Sequence, residues 1–277
     1  MSEDVRLNAY FERIGFAGSI APTLQTLEAL HALHPAAIPF ENLNSLLGLP
    51  VLLDQASLNR KLLGDRRGGY CFEHNLMFLR VLRELGFSAQ GHLAGVLWGG
   101  RPVDELEPDH MTVTVELGGL TYLVDVGFGG LLQTVPLKLR TGVEQPTPLG
   151  TYRLTGEDPA LRLEFLHHEG QWRPVYQFSL EAVADDAYAG ISDTLNADPD
   201  WFFHHHLLVE RAPQTGRKVL YDTRLTSHQG NAHAVQHLTT AEALRETLAG
   251  VFGMSLAGLA GLDEALGRLV PPREAGD

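Results

Sequence analysis

The stretch that decides the reading is Arg67-Gly68-Gly69-Tyr70-Cys71-Phe72-Glu73-His74-Asn75, residues 67–75. Two adjacent glycines permit a sharp turn and let another backbone or a ligand approach closely. After them Leu76, Leu79, Leu82 and Leu85 recur at helical spacing before Gly86. This predicts a helix that begins near Cys71 and stops at Gly86. Cys71 then occupies the first helical turn, where the dipole and free N–H groups favour thiolate over thiol. The same N–H groups can hold a developing oxyanion. Cys71 is the only cysteine of the 277-residue chain, and a free cysteine is as readily a small buried hydrophobe as a nucleophile. Position alone leaves both readings open.

A hairpin further along shifts the weight. Met111-Thr-Val-Thr-Val-Glu-Leu117 and Leu120-Thr-Tyr-Leu-Val-Asp-Val126 flank Gly118-Gly119, a two-residue turn signal. With those two residues as the loop, Asp125 falls opposite Thr112, and His110 lies on the same face. His110 and Asp125 become diagonal cross-strand neighbours about 7–8 Å apart at the backbone, a separation suited to an imidazole–carboxylate hydrogen bond. A carboxylate orienting a histidine that serves a cysteine is the logic of an activated nucleophile. Directly after comes Val126-Gly127-Phe128-Gly129-Gly130, whose N–H groups are candidates for cradling phosphate. It lacks the GxxxxGK[ST] pattern of a P-loop, and a plain Gly-rich turn explains it equally well.

Outward from these motifs the texture divides. Upstream, Pro22-Thr23 opens a helix bearing Leu24, Leu27, Leu30 and Leu33, ended by Pro35 and Pro39. Asp54 is a predicted N-cap for a second helix that stops at Gly64. From about residue 89 to 195 short β-rich runs such as GHLAGVLW, LRLEFL and WRPVYQF alternate with turn residues, predicting an antiparallel barrel or sandwich. HHLLVER and KVLYDTRL then read as a strand pair joined by PQTG, and Thr239 with Glu242 as the capping box of a late helix. The expected division is 1–88 helical bundle with the nucleophile, 89–195 β-barrel with His110 and Asp125, and 196–277 an α/β lid.

The formal net charge of -13 argues against nucleic acid and anionic membranes as partners. An anionic ligand would need a local site. No apolar run reaches the roughly 20 residues of a membrane span, the first residues have no secretory pattern, and a lone cysteine forms no internal disulfide. These point to the cytoplasm. His204-His205-His206, His31/His34 and His167/His168 invite a metal reading, but none brings a complete ligand set. The first group reads as exposed strand histidines. No signal for oligomeric state is present.

The segments RGGYCFEHN (67–75), IPFENL (38–43), the strand entry at His110 and LVDVGFGG (123–130) together resemble the arylamine N-acetyltransferase family of bacterial type. The likeness continues through FSLEAV (178–183) and GRKVLYDTRLT (216–226), so it spans nearly the whole chain. It implies an α+β fold: an N-terminal helical bundle, a central antiparallel β-barrel and a C-terminal α/β lid, with a papain-like cysteine core. It implies acetyl-CoA as the acyl-donor cosubstrate, no metal, and small aromatic amines and hydrazines as acceptors, with N-arylhydroxylamines also in reach. It makes Cys71, His110 and Asp125 catalytic. It assigns Phe40, Phe128 and Phe203 (or Phe202 in a neighbouring register) to substrate binding, and Gly127, Gly129 and Gly130 to the cofactor. Glu73 and Asn75 become structural supports. Two departures stand out: His74, where relatives usually carry an apolar or amide residue, and Asp109, where many bacterial relatives carry a hydroxyl. The alternatives are a Cys-His-Asp hydrolase on the same core and a non-enzymatic binding protein that keeps the fold.

Overall fold

A computed structural model describes residues 4–213, 216–229 and 232–271. The chain opens with α1 (Leu7–Ile14) and α2 (Leu24–Ala37), the two-residue strand β1 (Phe40–Glu41), α3 (Leu43–Leu46) and α4 (Gln55–Leu58). A π-helical turn, Asn59–Gly64, extends α4 and leads to α5 (Cys71–Glu84). Thr23 and Asp54 cap α2 and α4 by accepting from the N–H of Thr26 and Ser57. The predicted stop at Pro35 is corrected: α2 runs on to Ala37 with Pro35 inside it. One proline removes a single N–H donor, and flanking contacts hold the turn, including Tyr10 and Arg13 of α1 on His34 and the Ala37 carbonyl. Helix α5 begins at Cys71 and is the axle of the main core, with Cys71 through Leu79 all buried.

The middle of the chain forms an eight-stranded antiparallel sheet. In chain order its strands are β2 (Ser88–Val96), β3 (His110–Leu117), β4 (Leu120–Val124), β5 (Leu137–Lys138), β6 (Glu144–Thr147), β7 (Gly150–Thr155), β8 (Leu161–Leu166) and β9 (Trp172–Phe178). The spatial order is β5-β4-β3-β2-β9-β8-β7-β6. The sheet curls into a nearly closed barrel whose free edges are consecutive in sequence. The Gln145 side chain of β6 spans the seam like a peptide group, accepting from Lys138 N at 2.7 Å and donating to Lys138 O at 2.9 Å. The predicted hairpin is present: Val113 pairs with Val124 and Leu117 with Leu120. Gly118 and Gly119 take φ of 60° and 77°, as a two-residue turn between right-twisted strands requires.

Beyond the barrel come α6 (Ala187–Ala197) and the one-turn α7 (Phe202–His205). The strand texture therefore stops before residue 187 rather than reaching 195, and His204 and His205 are helical rather than on a strand. Both ring nitrogens of His204 face backbone carbonyls, of Ser45 at 2.8 Å and Asn196 at 3.1 Å, which turns the side chain inward. A second sheet follows in the order β1-β10-β11-β12-β13, built from β10 (Leu208–Arg211), β11 (Arg217–Tyr221), β12 (Arg224–Gln229) and β13 (Ala232–His237). KVLYDTRL is thus two strands, broken at Asp222, whose φ is +48°. Residues 214–215 of the PQTG link lie outside the described residues. Helices α8 (Ala241–Gly250) and α9 (Leu262–Leu269) cover this sheet. The cap of α8 is Thr240, which accepts from Ala243 N at 3.0 Å, one residue later than the Thr239 capping box predicts.

Candidate active site

Cys71 is buried at the N-terminal end of α5. Glu73 accepts from the Tyr70 N–H and pairs with Lys61, which closes the helix start from below. The glycines before the cysteine answer to space: a Cβ on Gly68 would stand 1.9 Å from the Pro39 carbonyl oxygen. The close approach of the 39–41 segment thus requires glycine in the turn that leads to the thiol.

The hairpin delivers the other two predicted groups. His110 Nε2 lies 2.7 Å from Asp125 Oδ2, and both side chains are buried. Asn75, one helical turn after Cys71, holds the carboxylate in place. Its Nδ2 donates to Asp125 Oδ1 at 2.9 Å and to the Met111 carbonyl at 2.7 Å, while its Oδ1 accepts from Val126 N. The Gly127 N–H also donates to Asp125 Oδ1. Burial pushes the Asp125 carboxyl up, but His110, Asn75 and the Gly127 N–H outweigh it and leave the carboxyl below its usual range. With Nε2 bonded to Asp125, Nδ1 is the remaining ring nitrogen.

The thiol's electrostatics differ from the helix-dipole expectation. Burial pushes the Cys71 thiol well up, the charges of Asp109 and Asp125 push the same way, and the N–H groups of Phe72 and Cys71 offset them only in part. A helix N-terminus is worth about 0.3–1 kcal/mol at an exposed site, whereas full desolvation moves a pKa by several units. Burial therefore wins in the resting site. The sulfur's hydrogen-bond partner is the Asp109 carbonyl at 3.7 Å.

A cleft of about 970 Å³ opens over these groups. Its walls include Cys71, His110, Phe40, Phe128, Phe202 and Phe203. Phe128 stands edge-on to His110, with ring centroids 5.2 Å apart. Phe40 stacks over His74 and meets Phe203 at 6.0 Å. Of the two registers, Phe203 is packed inward against Phe40, Tyr70 and Trp201, while Phe202 is exposed at the rim. Gly127, Gly129 and Gly130 line the cleft too. A Cβ on Gly127 would sit 2.8 Å from the Cys71 carbonyl oxygen, and one on Gly129 would sit 2.4 Å from the Phe40 ring. The N–H groups of Gly127 and Gly130 point inward, to Asp125 and Glu210. These glycines hold a tight turn against the thiol rather than presenting an open row of N–H donors.

The two departures acquire partners. Asp109 commits its carboxylate to the Val96 N–H, from which it accepts, and to Arg101 at the cleft mouth. His74 donates from Nε2 to the Pro39 carbonyl at 3.1 Å, so its Nδ1 accepts from His34 Nε2 at 2.8 Å, and His34 Nδ1 in turn accepts from the Tyr10 hydroxyl. Three buried groups thus form one directional chain, and burial favours the neutral form of both rings.

Sequence reasoning missed Tyr176, whose ring lies 5.0 Å from that of His110, because β9 carries no local signal of what its register brings near. It missed His31, which accepts from Asp125 N at 3.2 Å. Asn75 was legible as a neighbour of Cys71 by its i, i+4 spacing, but its bond to Asp125 was not. Among the described residues, the metal-type side chains that converge are His167, His168 and Glu169, at a turn far along the barrel. They are sequence neighbours, with Glu169 also paired to Arg173.

Fold and cleft together are those of an N-acetyltransferase: a family model of that description matches residues 23–260. The arylamine N-acetyltransferase of Escherichia coli is 41% identical over 232 residues, which is 83% of this chain and 81% of that protein. The arylamine N-acetyltransferase / N-hydroxyarylamine O-acetyltransferase of Salmonella typhimurium is 37% identical over 90% of this chain and 89% of its own. Among solved structures, Mycobacterium marinum arylamine N-acetyltransferase in complex with CoA superposes with a TM-score of 0.91 at 33% identity, covering 96% of this chain and 100% of that one. The chain belongs to the arylamine N-acetyltransferase family.

Proposed function

We propose that this protein transfers an acetyl group from acetyl-CoA to the nitrogen of arylamines and arylhydrazines through an acetyl-cysteine at Cys71. The observation that carries the reading is the His110–Asp125 pair, fixed by Asn75 from the helix that bears Cys71, within one aromatic cleft. His110 Nδ1 takes the thiol proton, and the thiolate attacks the thioester carbonyl. The tetrahedral intermediate collapses, the C–S bond to coenzyme A breaks, and the imidazolium returns the proton to the departing thiolate. The amine then attacks the acetyl-cysteine and gives its proton to His110, and the Cys71 sulfur leaves. Asp125 holds the ring tautomer and stabilises the imidazolium in both halves.

Phe40, Phe128 and Phe203 supply apolar walls for a flat acceptor. Gly127, Gly129 and Gly130 supply a surface without side chains for the donor's pantetheine arm. The Salmonella relative's name includes N-hydroxyarylamine O-acetylation, and we extend the acceptor range to that class. The division at 1–88, 89–195 and 196–277 remains our proposal for the units that build the cleft. A cytoplasmic setting fits a nucleophile that is a lone free thiol, which must stay reduced. Acetyl transfer from acetyl-CoA to an aromatic amine, compared between wild type and Cys71→Ala, tests the mechanism. The variant should lose roughly 10⁴-fold or more in turnover, and activity that survives in it sinks the acetyl-cysteine route.

A further inference from the structure

Under the turn at 127–130 lies a carboxylate that the transfer chemistry does not use. Glu210 is fully buried on β10, directly opposite Phe40 of β1. Its Oε2 accepts from the backbone N–H of Gly130 and, at 3.4 Å, of Leu132. Its Oε1 is buried and has no hydrogen-bond partner among the described residues. From the neighbouring strand β11, Arg217 donates to the Gly130 carbonyl at 3.2 Å. Two charged side chains of the five-stranded sheet therefore grip Gly130, one at its N–H and one at its C=O. The other side of the same turn touches the reacting end of the cleft, as the forbidden Cβ positions at Gly127 and Gly129 show. With Cys71 and Phe40 in contact above and Glu210 in contact below, the turn has no slack.

Buried carboxylates are ordinarily satisfied on both oxygens, because an orphaned acceptor carries its full desolvation cost. A half-satisfied one directly beneath a substrate-facing turn is out of place as plain scaffolding. The charged and titratable groups around it are Arg217 from β11 and Tyr152 from β7, whose hydroxyl donates to the Leu131 carbonyl, with Asp125 beyond Tyr152. Arg211, next along β10, is committed to the Ala36 carbonyl. Burial pushes the Glu210 carboxyl up to about 7, while Arg217 and the two N–H groups pull it down.

We propose that Glu210 is a positioning residue for the acyl donor: its ionised carboxylate seats the turn at 127–130 against Cys71 and Phe40, and protonating it loosens that seat and weakens donor binding. The inference rests on the acetyl-transfer reading of the site. Its sign follows from the hydrogen bonds. Below the Glu210 pKa the carboxyl carries a proton for which Oε1 has no acceptor, and Oε2 loses the charge that holds two N–H donors; above it both bonds are charge-assisted.

The test is KM for acetyl-CoA, with kcat recorded separately, from pH 6 to 8.5 at a fixed aromatic amine. In wild type KM should rise roughly threefold to tenfold as pH falls across that range, the net scale of one ordinary hydrogen bond. Glu210→Gln keeps a carbonyl for the two N–H groups but cannot titrate, so its KM should be flat with pH. Arg217→Gln removes the cation that favours the ionised form and should move the midpoint to higher pH. Ionisation of the thiol is common to all three proteins and cancels in the comparison. A wild-type pH dependence that persists in Glu210→Gln overturns the inference alone. If that variant does not fold, an unmoved midpoint in Arg217→Gln overturns it equally. A wild type that makes no acetylated amine overturns the acetyl-transfer reading and this inference with it.

Discussion

The two walls of the cleft are built on opposite principles. The thiol wall is polar and buried, with nearly every group assigned: Cys71, Asn75, His110 and Asp125 hold one another through hydrogen bonds between α5 and the β3–β4 hairpin. The facing wall, from α6 to β11, is mostly apolar and partly open, with Asp198 and Asp200 between its apolar residues and Phe202 and Tyr221 exposed at its rim. A polar network fixes positions because each partner has one acceptable arrangement. An apolar face fixes only area and shape, so it adapts. In the proposed reaction the chemical step belongs to the first wall and the choice of acceptor to the second.

Perturbing the thiol wall should therefore cost turnover. Asp125→Asn keeps the shape but removes the charge and leaves the ring tautomer undetermined, so kcat should fall by roughly 10³–10⁴-fold with KM for the amine nearly unchanged. A fall confined to KM would contradict the division between the walls. The histidines behind this wall bring a pH dependence of stability. Burial lowers both His31 and His74 to about 4, well under the ordinary 6.5. The unfolded chain therefore binds more protons between those values, and stability is complete above pH 6.5 and lost as pH falls toward 4. Each should contribute a loss on the order of 2 kcal/mol at pH 5. Urea unfolding at pH 7 and pH 5, in wild type and His74→Gln, measures it. The variant should lose less on acidification, and an identical loss would mean that His74 is not buried neutral. The smallest effect belongs to the rim. Phe202→Ala should shift relative kcat/KM among amines of different size by about 10-fold at most while leaving kcat for a small amine unchanged. A drop in kcat for every amine would make the rim part of the chemistry.

Much of the thiol wall was legible because its signals are local. A Gly-Gly turn before a leucine-periodic helix places Cys71, and a two-residue loop sets strand register, which puts His110 and Asp125 on one face. The helix after Thr23 and the cap at Asp54 were local in the same sense. Failures gathered where distant segments compete with local preference. Pro35 lies within α2 because α1 supports that turn. The cap of α8 moved to Thr240. The histidines at 204–205 became a helical turn fastened to the Ser45 and Asn196 carbonyls. The upward push on the thiol was missed for a related reason: a helix start is visible in sequence, but the burial that outweighs it comes only with the closed main core.

By itself, the sequence determined the nucleophile's seat and the hairpin register, since each depends on φ, spacing or pleat within a few residues, while the aromatic and glycine assignments came from the family resemblance. Only the tertiary structure decided that Asn75 bridges the helix to Asp125, that Asp109 turns to Arg101, and that β1 joins β10 so that Glu210 lies beneath the Gly130 turn. Those contacts link residues 8 to 170 positions apart. They are selected by burial and by the cost of leaving a buried polar group unpaired, terms that exist only once the core has closed.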